Sequence, residues 1–360
     1  MNRNLHRITL VIPTYNRYPF LLRLLRFYET YGFPVKILIL DSSSDSLEDA
    51  ELLKFLEHPQ IVHQKFPADI FFARKLSEGL KKVFTYFSVL CADDDYIIPT
   101  GLEPCMNFLQ EHPDYAMSQG FYVNHFLRKD LHGRPVFFWS PLYIAHRTID
   151  NSCPIERFRF SLENFAGSIF YAVYRTEDLQ LIWEQTATHV WDWGLSETLP
   201  MALGFLLGKL KILPVFYSSR EAHGQSWCTY EHLKKIYSPK KCESVIQCMA
   251  GQISRREGKD LDSALLMARD SLAKNLERNF SKYARHQIQH PASTRILNHR
   301  LIALGPKACR FLKWRGIKAG YRLIFGPKNT LDFKRLKESV LSAHLGAEAM
   351  DRIRKEYLRN

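Results

Sequence analysis

The sequence has few of the features that mark a secreted or membrane protein. Its seven cysteines are an odd number without a CxxC pair, which argues against a zinc cluster and a disulfide framework and fits a reducing cytosol. No uncharged apolar run approaches the roughly 20 residues of a membrane-spanning helix. Residues 1–8 lead straight into an apolar strand and do not resemble a signal peptide. We therefore expect a cytoplasmic protein.

Carboxylates are missing from one long stretch of the chain. Residues 278–331 contain 12 lysines and arginines and no aspartate or glutamate. Residues 240–360 hold 26 basic and 11 acidic side chains, whereas residues 1–239 hold 24 and 26. Because the pattern also becomes helical throughout from about residue 229, the sequence predicts a first part of residues 1–228 and a basic, all-helical region of residues 229–360.

The basic segment of residues 295–328 interleaves apolar residues with lysine and arginine, and three interpretations of it stay open. A basic amphipathic helix binds anionic membrane surfaces, which would make the protein peripheral on the cytoplasmic face of a membrane. The segment could instead be a helical cap on the acidic first part, or an oligomer contact. Nucleic acid is the least favoured partner, because the sequence has no helix-turn-helix, zinc-finger or RNP-like motif. The oligomeric state stays open.

Apolar runs alternate with helical patterns in the first part of the chain. Residues 7–15, 35–41 and 86–91 predict buried strands, and residues 17–32 and 71–87 contain predicted helices. Strands that are apolar on both faces are typical of a parallel sheet covered by helices on both sides. We therefore expect an α/β fold with a Rossmann-like, mainly parallel sheet.

Polar clusters follow three of these predicted strands. They are PTYNR at residues 13–17, DSSSDS at residues 41–46 and DDD at residues 93–95. Ligands of open α/β sheets bind beyond the carboxyl ends of the strands. We expect the three clusters to meet along one edge of the sheet and to form a binding site there.

Three adjacent carboxylates, Asp93, Asp94 and Asp95, stand after the apolar run that ends at Leu90. Carboxylate oxygens suit Mg²⁺ or Mn²⁺, and alternate residues of an extended segment point the same way. Asp93 and Asp95 could therefore share a metal while Asp94 points elsewhere. The alternative is a solvated acidic turn, or the N-cap of the helix predicted from residue 98.

Four segments carry a family resemblance: ITLVIPTYNRYPFLLRLLRFY, ILILDSSSD, FFARKLSEGL and LCADDDYIIPTGLE. In this order and spacing they resemble the nucleotide-sugar-binding half of a family 2 glycosyltransferase with the GT-A fold, over roughly residues 7–225. The resemblance implies a donor half at about residues 1–112 and an acceptor half at about residues 113–228. Two positions depart from the family pattern, because Ala92 stands where an aspartate is usual and Lys75 where an asparagine is usual.

The resemblance also implies roles for individual residues. In the family, these segments hold the nucleotide base and ribose, close over the nucleotide and bind a metal that bridges the donor diphosphate. The implied donor-binding residues are Pro13, Thr14, Tyr15, Asn16, Arg17, Asp41, Arg74, Asp93 and Asp94. The implied metal ligands, for Mn²⁺ or Mg²⁺, are Asp93, Asp95 and His223, a histidine in the loop after a later strand. Arg220, in the same loop, could pair with phosphate or with a nearby carboxylate.

Asp192 is the candidate general base, at the start of a predicted helix between Trp191 and Trp193. An acidic residue at the start of the helix after the acceptor loop is the base in family 2 enzymes, and Asp192 resembles it. Trp191 and Trp193 could stack on acceptor sugars, and their apolar surface favours the neutral carboxyl. The fallback base is Glu197, and the alternative role of Asp192 is to cap the helix.

With these residues, the resemblance implies a metal-dependent, inverting glycosyltransferase. The implied donor is a UDP-sugar, and the implied acceptor is a hydroxyl of a surface glycan or lipid-linked saccharide. A catalytically idle nucleotide-sugar-binding scaffold would share the same motifs. A nucleotidyltransferase is disfavoured, because it usually has a glycine-rich loop after the first strand and PTYNR contains no glycine.

Overall fold

A mixed nine-stranded sheet runs through the computed structural model, which describes residues 4–129, 135–142, 147–164, 169–192, 194–221, 239–289 and 347–359. The strands are β1 (Ile8–Thr14), β2 (Lys36–Asp41), β3 (Ile61–Lys65), β4 (Phe87–Leu90), β5 (Tyr96–Ile97), β6 (Tyr115–Lys129), β7 (Pro135–Leu142), β8 (Val173–Arg175) and β9 (Lys209–Glu221). Their order is β3-β2-β1-β4-β8-β6-β9-β5, and β7 pairs with β6.

The four strands at one side of the sheet, β3, β2, β1 and β4, are all parallel. Beyond β4 the pairing is mixed: β8 is antiparallel to both β4 and β6, β9 is parallel to β6, and β5 is antiparallel to β9. The predicted α/β fold is confirmed. Its parallel part coincides with the strands that the apolar runs predicted, because a strand buried on both faces carries that signal.

Ten helices of the described residues cover the sheet or one another. They are α1 (Tyr18–Glu29), α2 (Ala50–Leu56), α3 (Phe72–Leu80), α4 (Pro99–Glu111), α5 (Pro154–Glu163), α6 (Thr176–His189), α7 (Leu195–Leu207), α8 (Pro239–Glu257), α9 (Leu261–Gln289) and α10 (Ala347–Leu358). Pro19 fits the first turn of α1, because its fixed φ suits a helix and the first turn needs no N–H. Within the described part of the chain, no helix is long and apolar enough to cross a membrane.

Two hydrophobic clusters form the core. One contains the fully buried Trp183 of α6 together with residues of α5, α7, α8 and α9. The other contains the α1 leucines and, from the far end of the chain, Met350 and Ile353 of α10. The described helices beyond residue 238 therefore share core with the first part of the chain. The predicted boundary at residue 228 and the basic segment of residues 295–328 lie outside the described residues, so their interpretations stay predictions.

Gly120 marks the closest approach of β6 to β9. A Cβ at this position would lie 2.4 Å from the Val215 carbonyl oxygen and 2.8 Å from the Tyr217 Cβ. We expect Gly120→Ala to lower the free energy of unfolding by about 1–3 kcal/mol, because overpacking must push the strands apart. Urea denaturation measures this change.

Gly251 of α8 supplies a matched control for that substitution. The nearest heavy atom to a Cβ there is the Arg255 Nη2, at 3.9 Å. Because alanine is favoured over glycine inside a helix, Gly251→Ala should raise the stability by up to about 1 kcal/mol. Equal stabilities of the two variants would contradict the close packing of β6 on β9.

Candidate active site

The carboxyl ends of β1, β2 and β4 bring the three polar clusters together. Thr14, at the end of β1, is in register with Asp41 at the end of β2. The Thr14 hydroxyl also donates a 2.7 Å hydrogen bond to Asp93 Oδ2, in the segment that follows β4. The geometry expected from the strand pattern is present, with all three clusters at one edge of the sheet.

Asn16 joins the first cluster to the second. Its φ of 52° is in the left-handed region, which asparagine tolerates better than most residues. Its N–H donates to Ser43 Oγ at 2.8 Å, and its side-chain oxygen accepts from the Ser44 N–H at 2.8 Å. These bonds fix the loop after β1, and the neighbouring Tyr15 side chain stays 44% exposed.

Asp41 is fully buried and is held by four donors. Oδ1 accepts from the Ser43 N–H at 2.8 Å, and Oδ2 accepts from the Tyr18 hydroxyl at 3.0 Å and Lys65 Nζ at 3.1 Å. His63 Nε2 lies 2.9 Å from the same Oδ2. Burial alone would raise the pKa of Asp41, but the bonds from His63, Ser43 and Lys65 outweigh it and hold that pKa well below its usual range.

Lys75 is a buried cation beneath the two loops. Its Nζ donates to the Thr14 carbonyl at 2.9 Å and to Ser42 Oγ at 2.8 Å, and so links the ends of β1 and β2. Burial lowers the pKa of Lys75 to about 8, against the opposing effect of Asp41 and Asp93. The lysine that stands where asparagine is usual in the family thus links the two loops. Arg74, the residue before it, is exposed.

The acidic triplet is buried, with its three residues between 3% and 8% exposed. Arg17 meets two of them: Nη1 lies 3.3 Å from Asp93 Oδ1, and Nη2 lies 2.5 Å from Asp94 Oδ2. Burial raises the pKa of Asp93 to about 7, although the charge of Arg17 opposes the rise. The positively charged partner of Asp93 and Asp94 is therefore Arg17, a residue of the PTYNR loop itself.

Asp95 has donors on both oxygens. The Tyr171 hydroxyl and Arg220 Nε contact Oδ2, the latter at 3.3 Å, and the Glu221 N–H donates to Oδ1 at 2.7 Å. Burial raises the pKa of Asp95 to about 6. Of the two roles open to Arg220, the structure shows the pairing with a carboxylate.

Carboxylate oxygens are suitable ligands for Mg²⁺ or Mn²⁺, but the triplet is already engaged. Asp93 and Asp94 could hold such a cation only if the guanidinium of Arg17 left them. Asp95 is the most heavily engaged of the three, because the Tyr171 hydroxyl and Arg220 contact its Oδ2 and the Glu221 N–H donates to its Oδ1. Among the described residues, no three histidine, cysteine, aspartate or glutamate side chains are grouped as a metal site. His223 lies outside the described residues.

Asp192 lies just before α7 and is 6% exposed. Its Oδ1 accepts from the Leu195 N–H at 3.1 Å, which is a helix-capping bond. Its buried Oδ2 has no hydrogen-bond partner among the described residues and lies 3.8 Å from Lys241 Nζ of α8. Burial raises the pKa of Asp192, and the bond from Leu195 and the charge of Lys241 oppose the rise. One oxygen thus caps the helix, while the other faces the ammonium group of Lys241.

The remaining candidates near Asp192 differ in exposure. Trp191 is 59% exposed, and Trp193 lies outside the described residues. Glu197 is exposed on the first turn of α7. Burial would lower the pKa of Arg220, but nearby negative charge, including that of Glu197, raises it. Glu197 therefore lies within electrostatic reach of the arginine that contacts the acidic triplet, whereas Asp192 faces α8.

Residues 9–170 match the family model described as Glycosyl transferase family 2. They form a family 2 glycosyltransferase domain. The match includes PTYNR, Asp41, Arg74 and the acidic triplet, and it ends before Asp192 and Arg220. No curated protein matches the chain.

Solved structures of S. aureus TarS are similar to this chain. One TarS structure is 16% identical, with a TM-score of 0.39, and the alignment covers 77% of this chain and 55% of TarS, so the chain spans about half of that protein. TarS 1–349 in complex with UDP-GlcNAc is 14% identical, with a TM-score of 0.40 and coverage of 79% and 93%. The complex of TarS 1–349 with UDP is 15% identical, with a TM-score of 0.37 and coverage of 79% and 92%.

Several contacts of this site were not foreseen from the sequence. His63 and Lys65 lie two residues apart on β3, so they share a face of the strand, and both reach Asp41. Arg17 was expected at the nucleotide rather than at the triplet. Tyr171 has no local signal, since it lies 76 residues from its partner Asp95.

Proposed function

We propose that this glycosyltransferase moves a sugar from a nucleotide-sugar donor, most simply a UDP-sugar, to a hydroxyl of a glycan or lipid-linked saccharide. The observation that carries the proposal is the meeting of the PTYNR loop, the Asp41 loop and the acidic triplet at one sheet edge, joined by the Thr14–Asp93 bond. The family match of residues 9–170 supports it.

The donor would lie across the ends of β1, β2 and β4. Asp41 and Lys75 order the two loops, and the exposed ring of Tyr15 offers an apolar face for the base and ribose. Arg17 is placed to pair with the diphosphate, because guanidinium and phosphate form bidentate hydrogen bonds. A divalent cation bound by Asp93 and Asp94 would neutralise the leaving diphosphate as a Lewis acid.

The acceptor hydroxyl needs a base that takes its proton as the sugar bond forms. We assign this role to Asp192, whose Oδ2 is buried and accepts no hydrogen bond in the described structure. Trp191 beside it presents an exposed ring on which an acceptor sugar can stack. A single base that activates the acceptor directly corresponds to an inverting reaction.

Thermal unfolding with nucleotide diphosphates tests the donor proposal. A ligand that binds only the folded state at a hundred times its dissociation constant stabilises by about 2.7 kcal/mol, so UDP or UDP-GlcNAc with Mn²⁺ should raise the melting temperature. ADP and GDP with Mn²⁺, and each nucleotide with EDTA, serve as matched comparisons.

The same titrations separate the competing functions. No stabilisation by any nucleotide diphosphate or nucleotide sugar would refute the proposal. Stabilisation by a UDP-sugar without any release of UDP, in the presence of candidate acceptors, would favour the catalytically idle binding protein. A larger shift with ADP or GDP would keep the reaction class and change the donor.

A further inference from the structure

Arg17 occupies the carboxylates that a donor-site cation would need. Its two terminal nitrogens are divided between Asp93 and Asp94, at 3.3 and 2.5 Å. The guanidinium carbon also lies 4.4 Å from the centre of the Phe20 ring, which supports the same side-chain position. Arg17 is therefore held from three sides, with a side chain only 21% exposed.

The neighbouring carboxylate, Asp95, is held by other partners than Arg17. Asp95 is engaged by Tyr171, Arg220 and the Glu221 N–H, so both of its oxygens have partners. Asp93 Oδ2 already accepts from Thr14. Arg17 in turn covers Asp93 Oδ1 and Asp94 Oδ2. Since Mg²⁺ needs oxygen ligands at about 2.0–2.1 Å, the cation and the guanidinium cannot share them.

We propose that Arg17 is a resident counter-ion that excludes a divalent cation from Asp93 and Asp94 until a donor diphosphate draws the guanidinium away. The inference rests on the proposed function for the identity of that diphosphate. Guanidinium pairs bidentately with phosphate as well as with carboxylate, so Arg17 can change partners without losing its charge pairing. Metal and nucleotide would then bind cooperatively.

The size of the effect follows from the fraction of molecules in which the carboxylates are free. If Arg17 covers them about 90–99% of the time, the apparent metal affinity is about 10–100-fold weaker than that of the uncovered site. Removing the guanidinium should therefore strengthen the apparent metal affinity by about 10–100-fold. Adding the diphosphate to the unaltered protein should strengthen the apparent metal affinity by part of this amount.

Calorimetric titration with MnCl₂ alone, above neutral pH, measures this directly. We expect Arg17→Gln to bind Mn²⁺ at least about tenfold more tightly than the unaltered protein. Arg17→Lys should have an intermediate Mn²⁺ affinity, because one ammonium group cannot bridge two carboxylates as the planar guanidinium group does. The double variant Arg17→Gln, Asp94→Asn should not show this tighter Mn²⁺ binding.

Arg26→Gln, on the helix α1 that follows Arg17, is the matched control. Arg26 pairs with Glu51 at 2.6 Å, away from the triplet, so its loss should leave Mn²⁺ binding unchanged. Thermal unfolding in EDTA verifies that each variant is folded. Equal Mn²⁺ affinity of folded Arg17→Gln and the unaltered protein would overturn the proposal.

A second measurement uses no variant. Saturating UDP should tighten Mn²⁺ binding to the unaltered protein by about tenfold, and an unchanged affinity would overturn the proposal even if Arg17→Gln failed to fold. The two proposals fail separately. If no nucleotide stabilises the protein, the donor assignment is wrong, while the titration with Mn²⁺ alone still decides whether Arg17 covers the carboxylates.

Discussion

Asp41→Asn is expected to lower the free energy of unfolding by about 3 kcal/mol. The amide would keep an oxygen for the Ser43 N–H but would turn an NH₂ group toward Tyr18, His63 and Lys65, which all contact Oδ2. The loss is smaller than for a fully enclosed ion pair, because the Lys65 side chain is half exposed and water can solvate it. Urea denaturation near neutral pH measures the change.

Acid should reduce this difference between Asp41→Asn and the unaltered protein. The pKa of Asp41 in the folded protein is held well below the ordinary value of about 3.9 that it regains on unfolding. As the pH falls below about 4, the unfolded chain takes up a proton that the folded protein does not. The stabilisation by Asp41 is therefore complete above that pH and is lost as the pH falls through the folded pKa.

Asp45→Asn is the matched control in the same loop. The Asp45 side chain is exposed, and the hydrogen bonds of this residue to Asn16 and Tyr18 use its backbone atoms. Its replacement should change the stability by less than about 0.5 kcal/mol. A comparable loss in both variants would mean that the buried Asp41 cluster does not anchor the loop.

The parallel half of the sheet could be predicted because its signals are local. Each of β1, β2 and β4 is a continuous apolar run, and a polar cluster follows it, so the meeting of Thr14, Asp41 and Asp93 followed from strand direction alone. The mixed half of the sheet was harder to predict from the sequence. β5 has only two residues, Tyr96 and Ile97, and it pairs with β9 more than a hundred residues later in the chain, so no local periodicity announces it.

The charge balance of the acidic triplet could not be predicted for a related reason. The sequence shows three adjacent carboxylates, which need a cationic partner. The family resemblance implies that this partner is a metal ion. The structure places two arginines there, Arg17 and Arg220, which lie 77 and 125 residues from their partners Asp94 and Asp95. Pairings over such separations depend on the complete sheet, because β1, β4 and β9 must first be assembled.

Asp192→Asn is expected to reduce turnover by about 10²–10⁴-fold with little change in stability. Asparagine caps helices about as well as aspartate, so the bond from the Leu195 N–H to Oδ1 survives. The substitution thus separates the two roles of Asp192, because only the basic Oδ2 is lost. The measurement is UDP release from the UDP-sugar that gives the largest thermal shift, with urea denaturation beside it.

The pH dependence gives a second view of the same base. A base acts in its ionised form, so turnover should fall as the pH drops through the pKa of Asp192. Because burial raises that pKa, the fall should begin at a higher pH than for an ordinary carboxylate. Lys241, 3.8 Å from Oδ2, opposes the shift, so Lys241→Met should move the fall to still higher pH.

Glu197→Gln decides between the two candidate bases. Glu197 is exposed and its charge reaches Arg220, whereas Asp192 lies 3.8 Å from Lys241 of α8. If Asp192 is the base, Glu197→Gln should leave the pH profile unchanged. Normal turnover in Asp192→Asn together with its loss in Glu197→Gln would reassign the base to Glu197. Asp192 would then act only as a helix cap, and its buried Oδ2 would serve to hold α8 through Lys241.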